Sequence, residues 1–599
     1  MSDLMEQDNE FSRRQFIKTT GLAALGTSVP GGLATSASAQ AAVAGRKPSS
    51  RADGGGPYNI LMIVTDQERY MTQKELPADY RLPGHERLAE QGVTFENHQI
   101  ASCVCTPSRA VLYTGQHIQN NGMFDNTNFP WSGSLSTDID TLGDLMRKQG
   151  YYTVYKGKWH LTAEFETANQ LHAPERLLSA EMEEYGFSDY MGIGDIIGHT
   201  QGGYLHDNVI SSTSRSWMRG KGEQLRSEEK PWFLAVNLVN PHDIMYCDTD
   251  LPGEKRQSEK AMFHISREPD NALYHQQWQV SLPDSRKQRI DEAGRPACHL
   301  DFRDSNNAML GAIPDEDDRW RKLNNYYFNC LQDVDRNIVD LLDELEALGI
   351  ADNTIVIYTS DHGELSGAHG LVGKGANAYR EQNNVPFTII HPAHAGNKRC
   401  QAVTSHVDIA TTLIGLAGGD PESITALPGK DISTLLDSPE TAGTDAIRDG
   451  ALYNFNMLAY VDRDFMTNVG NFFAGGGKPP ELAKQGFKPN LKKRGAIRSI
   501  FDGRYRFSRY FSPLEHHTPE TIEQLFANND VELYDLKDDP LEMNNLATNR
   551  NKHSEIIVMM NAKLNVLIEA EVGEDAGQML PSMENVNWTL ASSIDDFRP

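Results

Sequence analysis

The feature that most constrains the fold is a set of continuous apolar runs along the chain. They occupy Asn59 to Val64, Pro231 to Leu238 and Thr354 to Tyr358. Such runs are typical of strands that are covered on both faces, as in a parallel sheet. Apolar residues from Asp333 to Leu348 recur at helical spacing and Gly349 follows them, which predicts a helix that leads into the third strand. The sequence therefore predicts an α/β fold with a large, mainly parallel sheet flanked by helices.

The C-terminal part has a different pattern. Residues 496–512 alternate around Asp502-Gly503, which predicts a β-hairpin. Residues 532–536 indicate a further short strand, and residues 554–569 indicate a helix. We therefore expect a smaller α+β domain with an antiparallel sheet at residues 491–599, after a larger domain at residues 57–490.

The first 39 residues carry the pattern of an export signal. A twin-arginine core at Ser12 to Lys18 precedes a weakly apolar stretch at 21–33 and an A-x-A cleavage pattern at Ala37 to Ala39. The alternative is a disordered tail with a chance arginine pair, but the three parts occur in the right order. We therefore predict a twin-arginine signal peptide at residues 1–39, a linker at 40–56, and a periplasmic or secreted protein that the twin-arginine machinery exports folded.

Charge and composition exclude several partners. The chain has 56 Lys and Arg against 83 Asp and Glu, a formal net charge of -27, which argues against nucleic acid as a partner. No apolar run approaches the roughly 18 residues of a membrane-spanning helix, so we expect no stable membrane insertion. Six cysteines are too few for a disulfide framework in a chain of this length.

Polar pairs follow two of the predicted strands. Asp66-Gln67 comes after the first and Asp361-His362 after the third. Ligands of open α/β sheets bind at the carboxyl ends of the strands. Each pair alone is also compatible with turn or capping residues, but together they predict a site for one divalent metal. The oxygen donors favour Ca²⁺, and the histidine makes Mn²⁺ the alternative.

A third segment, Cys105 to Gly115, combines a cysteine with a predicted helix start. Pro107 suits the first turn of a helix, so a group at Cys105 would face the positive end of that helix, where anions bind readily. A buried structural cysteine is the alternative.

This segment, C-x-P-S-R followed by T-G, resembles the signature of the type I sulfatases of the alkaline phosphatase superfamily. Further motifs of that family occur in the family's order. They are N-I-L-x-I-V-x-D-Q at 59–67, G-K-W-H at 157–160, N-P-H-D at 240–243, S-D-H-G-E at 360–364 and E-L-Y-D-L-x-x-D-P-x-E-x-x-N-L at 532–546. The resemblance covers residues 57 to 546 and implies that the domain at 57–490 is catalytic.

The resemblance also implies a modified residue and a metal centre. In this family a formylglycine-generating maturation enzyme oxidises the signature cysteine, here Cys105, to Cα-formylglycine. One hydroxyl of its hydrate lies on the metal and attacks sulfur, and the second allows sulfate to leave. The implied metal ligands are Asp66, Gln67, Asp361, His362 and the formylglycine at 105.

The remaining roles follow by the same resemblance. Arg109 steadies the diol and the metal carboxylates, while Lys158 and Lys374 hold the sulfate oxygens. His242, or Lys374, protonates the departing alcohol oxygen, and His242 also contacts substrate.

Two further histidines take roles from their motifs. His160 matches the histidine that removes a proton from the second hydroxyl of the hydrate. His369 either contacts substrate or supports the site.

The set Asp66-Gln67 with Asp361-His362 departs from the commonest metal set of the family. It is similar to the choline-sulfatase and phosphonate monoester hydrolase branches and to some carbohydrate sulfatases. The predicted function is hydrolysis of a sulfate ester of a small molecule or saccharide. A phosphonate monoester or phosphodiester hydrolase with the same formylglycine is the alternative, and a non-catalytic binding protein on this scaffold is the other.

Overall fold

The computed structural model describes residues 57–580, apart from residues 128, 130–131, 163–178, 193–199, 421–426, 478–480, 482 and 579. The predicted signal peptide and linker lie outside the described residues. In the described part of the chain, no helix has both the length and the apolar character needed to cross a bilayer.

An eight-stranded sheet forms the centre of the molecule, with the strand order β4-β3-β5-β1-β6-β7-β2-β8. Its strands are β1 (Asn59–Asp66), β2 (Val93–Gln99), β3 (Tyr152–Gly157), β4 (Ser188–Met191), β5 (Trp232–Pro241), β6 (Thr354–Ser360), β7 (Phe387–Ile390) and β8 (Lys398–Ser405). All neighbours pair in parallel except β7, which runs antiparallel to both β6 and β2. The prediction of a large, mainly parallel sheet is confirmed.

Alternate residues of β1 enter two separate apolar cores. Ile60, Met62 and Val64 belong to one cluster, and Leu61 and Ile63 belong to another on the opposite face. Every residue of β1 is buried. This two-sided burial is why the strand reads as an uninterrupted apolar run.

Helices cover both faces of this sheet. The helices of the whole described chain are α1 (Pro83–Gln91), α2 (Cys105–Thr114), α3 (Ile118–Asn121), α4 (Leu142–Lys148), α5 (Ser179–Glu183), α6 (Gly202–Trp217), α7 (Glu223–Ser227), α8 (Cys298–Leu310), α9 (Asp317–Ala347), α10 (Arg380–Asn383), α11 (Asp408–Leu416), α12 (Arg463–Ala474), α13 (Ile522–Asn528) and α14 (Arg550–Glu571). The last two pack on the C-terminal sheet described below. The helix predicted from residue 333 is the second half of α9. Residues such as Ile338 and Leu341 of α9 pack in the same cluster as Leu61.

A second sheet of four antiparallel strands lies in the C-terminal part. It contains β9 (Ala451–Phe455), β10 (Ala496–Phe501), β11 (Tyr505–Phe511) and β12 (Asp530–Asp535), in the order β12-β11-β10-β9. The predicted hairpin is β10–β11, and Gly503 in its turn has a φ of 94°, a conformation that favours glycine. Strand β9 precedes residue 491, so one edge of this sheet comes from the chain assigned to the larger domain. The domain boundaries themselves stay a prediction.

Candidate active site

The candidate site lies at the carboxyl ends of the central strands. Strand β1 sits between β5 and β6, with Ile60 opposite both Phe233 and Ile355. Because both pairings are parallel, the chain leaves the sheet at the same edge after Asp66 and after Ser360. Asp66 and Asp361 are therefore brought together, and both are fully buried. This convergence is the one expected for two parallel strands that end at the same edge of a sheet.

Helix α2 brings Cys105 to the same point. The Cys105 Sγ lies 3.1 Å from Nε2 of His362 and 4.0 Å from Oδ1 of Asp66. The ligand atoms of Asp66, Cys105, Asp361 and His362 all lie within 4.8 Å of one another. All four residues are buried, so this cluster could hold a metal ion away from bulk water.

Helix α2 also supplies the cation that joins the two aspartates. Arg109 is fully buried, and its Nε donates to Oδ2 of Asp361 over 3.0 Å. Its Nη2 lies 3.4 Å from Oδ2 of Asp66. Nη1 donates to the carbonyl of Lys158 and to Oδ1 of Asn237, at 2.9 and 3.1 Å. The guanidinium therefore fixes the helix against three strand ends at once.

Two predicted residues follow strand β3. The Nζ of Lys158 lies 2.6 Å from Oδ2 of Asp66, and the lysine side chain is buried. His160 has a φ of 59°, and its carbonyl accepts a hydrogen bond from Oγ1 of Thr106 over 2.8 Å. The segment after β3 is thereby tied to the residue that follows Cys105.

The charges of the site act strongly on its own groups. Burial alone would raise the pKa of Asp66, but Lys158, His242 and Arg109 hold that pKa well below its ordinary value. Burial lowers the pKa of His362, against the opposing effect of Asp361. His362 therefore favours the neutral ring that a metal ligand requires. Burial, with the charge of Asp66, raises the pKa of the Cys105 thiol to about 12.

Gln67 lies between a cation and an anion. Its φ is 74°, and its backbone N–H donates to Oδ1 of Asp361 over 3.1 Å. In the side chain, Oε1 accepts from Nζ of Lys374, and Nε2 donates to Glu364. The structure thus joins Gln67 and Lys374, which the sequence placed in two separate roles.

His242 also lies close to the cluster. It follows strand β5 as the first residue of a 3₁₀ turn, His242–Tyr246, and it is buried. Its charge is among those that lower the pKa of Asp66. The end of β5 therefore lies beside the cluster, and the role of His242 in catalysis stays a prediction.

His369 lies in a different cluster from the one around Cys105. Its Nδ1 is 2.8 Å from Oε1 of Gln288, its Nε2 is 3.7 Å from Oε2 of Glu381, and its ring stacks on Tyr379 at 3.6 Å. Glu542 completes this group. Among the described residues, these contacts are those of a supporting residue, and a substrate contact of His369 stays a prediction.

Two residues of the site were missed in the sequence. Asn237 accepts from Arg109 and, over 2.8 Å, from the hydroxyl of Tyr113. Its signal was available, because it is a polar residue within the buried run at 231–238. Glu364 belongs to a quoted motif, but nothing in its spacing indicated that it would bind Gln67.

Comparison with known proteins identifies the class. The family model described as Sulfatase matches residues 58–419. The chain belongs to the sulfatase family of the alkaline phosphatase superfamily. It is a sulfuric ester hydrolase, and it acts by hydrolysing sulfate esters.

Named relatives and solved structures agree with this placement. The chain is 26% identical to the choline-sulfatase of Rhizobium meliloti, over 62% of this chain and 69% of that protein. It is 25% identical to the N-acetylglucosamine-6-O-sulfatase of Bacteroides thetaiotaomicron, over 66% and 74%. The phosphonate monoester hydrolase of Silicibacter pomeroyi superposes with a TM-score of 0.60 at 16% identity, over 86% of this chain and 96% of that chain. The last similarity concerns the fold alone.

Proposed function

We propose that this protein hydrolyses sulfate esters with a Cα-formylglycine made from Cys105 and a divalent cation bound beside it. The observation that carries the proposal is the position of Cys105 Sγ, 3.1 Å from His362 and 4.0 Å from Asp66 in a fully buried cluster. Its maturation requires a formylglycine-generating enzyme as a partner.

The donor set fits a divalent cation. Asp66 and Asp361 offer carboxylate oxygens, and His362 offers an imidazole nitrogen with a lowered pKa. Gln67 would add an amide oxygen, which has two lone pairs and accepts from Lys374 with one of them. Hard oxygen donors favour Ca²⁺, and the imidazole makes Mn²⁺ the alternative.

Residue 105 lies where a nucleophilic oxygen would be next to the bound cation. The formylglycine hydrate would supply that nucleophile, and the cation would lower its pKa and offset the charge of the sulfate. Arg109 would keep the two aspartates in place around this centre.

The other side chains of the site would bind sulfate and transfer protons. Lys158 and Lys374 are the cations that would bind sulfate oxygens, and Lys374 is held by its hydrogen bond to Oε1 of Gln67. His242 would donate a proton to the departing alcohol oxygen. His160, held by the Thr106 hydroxyl at its carbonyl, would accept a proton from residue 105.

A sulfated saccharide is the substrate class we propose, since the N-acetylglucosamine-6-O-sulfatase is among the named relatives. The choline-sulfatase relative makes a small sulfate ester the alternative. Saccharide monosulfates and choline sulfate, each tested as sole substrate with sulfate release as the readout, distinguish the two.

A second candidate function is hydrolysis of phosphonate monoesters. The solved phosphonate monoester hydrolase shares the fold, and His362 beside Asp361 departs from the commonest sulfatase set. Sulfate and phosphonate monoesters both carry one negative charge, so only transition-state binding separates them. The test is kcat/KM for an aryl sulfate and the matched aryl phosphonate, with protein co-produced with a formylglycine-generating enzyme. The aryl sulfate is expected to be the better substrate, and a higher kcat/KM for the phosphonate would make phosphonate monoester hydrolysis the preferred reaction.

We also propose export by the twin-arginine route, on the pattern at Ser12 to Ala39. Replacing Arg13 and Arg14 by lysine is expected to leave the protein in the cytoplasm with its leader uncleaved. Unchanged export of that variant would contradict this route.

A further inference from the structure

Glu364 is a fully buried carboxylate that follows the predicted metal ligands Asp361 and His362 in the chain. Its Oε2 accepts a hydrogen bond from Nε2 of Gln67. On the other side of the same amide, Oε1 of Gln67 accepts from Nζ of Lys374. The Gln67 amide is thus held between a carboxylate and an ammonium group.

This arrangement permits one orientation of the amide. A carboxylate only accepts hydrogen bonds and an ammonium group only donates them, whereas a glutamine amide does each at one end. Reversing the amide would place its oxygen against Glu364 and its NH₂ group against Lys374. Both contacts would then be repulsive, and in a buried site neither group could turn to water instead.

The second oxygen of Glu364 fixes the loop that carries Lys374. Its Oε1 accepts from the backbone N–H groups of Ser366 and Gly373, at 2.7 and 2.8 Å. The N–H of Leu365 donates to the carbonyl of Gly373 over 3.0 Å and closes the same loop. The Glu364 carboxylate therefore holds two things in place. One is Gly373, the residue before Lys374, and the other is Gln67, which accepts from the Lys374 ammonium group.

Lys374 in turn lies near the reacting position. Its charge acts on both Cys105 and His362. Gln67 itself begins beside the cluster, because it follows Asp66 in the chain and its backbone N–H donates to Oδ1 of Asp361 over 3.1 Å. Only the carbonyl end of its amide can bind a cation, because the NH₂ end is a donor, and here it donates to Glu364.

We propose that Glu364 is the positioning residue that orients Gln67, so that its amide presents oxygen rather than NH₂ to the cation and to Lys374. This inference rests on the proposed function, because it assumes a cation at the cluster. The hydrogen bond to Glu364 would allow Gln67, a neutral residue next to Asp66, to act as an oxygen ligand.

The test uses variants that keep side-chain size and exchange one charge. Glu364→Gln retains an oxygen for Ser366 and Gly373 but turns an NH₂ group toward Gln67, which forces the Gln67 amide to reverse. The double variant Gln67→Glu with Glu364→Gln moves the carboxylate to position 67, where it accepts from residue 364 and from Lys374. Glu532→Gln, which neutralises a buried carboxylate bonded to Tyr510 and Tyr534, is the matched control.

The measurement is calorimetric titration of Ca²⁺ into each metal-free mature protein, with the Ca²⁺-induced rise in Tm as a second readout. We expect Glu364→Gln to weaken Ca²⁺ binding about 10- to 100-fold, as for other partners that orient metal ligands. The double variant is expected to regain wild-type affinity, and the control to keep it.

Each outcome decides the inference. Wild-type affinity in Glu364→Gln overturns it, and so does a double variant that fails to bind Ca²⁺, whether or not the single variant folds. Either result leaves the proposed function intact if the wild-type protein binds the metal and hydrolyses sulfate esters. A wild-type protein that binds neither Ca²⁺ nor Mn²⁺ overturns both proposals.

Discussion

The Nε of Arg109 donates to Oδ2 of Asp361 over 3.0 Å, and both side chains are completely buried. The two residues are 252 positions apart in the chain. Their contact connects the helix that begins at Cys105 with the end of strand β6. Since Nη2 of the same guanidinium reaches Asp66, one side chain sets the spacing of both carboxylates that would hold the cation.

Arg109→Lys tests whether activity depends on the spacing of the two aspartates and not only on a positive charge between them. Lysine keeps the positive charge but cannot bind Asp66, Asp361, Lys158 and Asn237 from one planar group. We expect kcat/KM for an aryl sulfate to fall about 10²- to 10³-fold, the effect of losing one preorganised electrostatic contact. We also expect a lower Tm, because breaking a buried pair costs about 3–5 kcal/mol. A variant with wild-type kcat/KM would show that Arg109 has no such role.

His242→Asn tests the proposed general acid. Loss of proton donation matters most when the leaving alcohol is a poor one. We expect the drop in kcat/KM to reach about 10²- to 10⁴-fold for alkyl sulfates and to be small for nitrophenyl sulfate. The measurement is kcat/KM over a series of leaving groups. An equal loss across that series would instead indicate that His242 binds the sulfate group.

Removal of the metal is expected to stop turnover. Exhaustive chelation should abolish sulfate release and lower the Tm, and adding Ca²⁺ should restore both. Asp361→Asn should need more Ca²⁺ for the same rate, because it removes one of the two carboxylates in the cluster. Initial rates as a function of free Ca²⁺ measure both effects. Full activity after chelation would exclude a metal-dependent mechanism.

The second cluster, around His369, predicts a pH dependence of stability. Burial would raise the pKa of Glu381, but contact with His369 and the charge of Arg380 lower it from 4.5 to about 2. The folded state therefore favours the ionised carboxyl, and this contribution is present above about pH 4.5 and lost as the pH falls toward 2. It amounts to about 3 kcal/mol.

Glu381→Gln removes this contribution. The difference in unfolding free energy between the wild type and Glu381→Gln should be constant near neutral pH and should narrow as the pH falls below about 4.5. Denaturant unfolding at several pH values measures it. A difference that does not change with pH would show that Glu381 is not held ionised in the folded protein.

The elements that the sequence predicted are those whose signals are local. The apolar run from Asn59 to Val64 predicts a strand that is buried on both faces, and the Asp502-Gly503 pair predicts a tight hairpin turn. The meeting of Asp66 with Asp361 was also predictable, because parallel strands end at one edge of the sheet. The positions of Cys105 and Arg109 beside them were implied only by the resemblance.

The pairing of side chains within the site was not predictable. Gln67 follows β1, and its placement between Glu364 and Lys374 depends on the path of the loop after β6. The spacing of these residues in the sequence does not predict the path of that loop. His369 shows the same limit, since it stands between Glu364 and Lys374 in sequence and yet packs with Glu381 and Tyr379. The motif identified the loop but not the direction of each side chain.

The most direct test of the account is the chemical state of residue 105 in active protein. Peptide mass spectrometry measures the fraction converted to formylglycine in preparations made with and without the maturation enzyme. We predict that kcat for sulfate release rises in proportion to that fraction and that Cys105→Ala is inactive. Sulfate release of wild-type magnitude from protein in which residue 105 remains cysteine would contradict it.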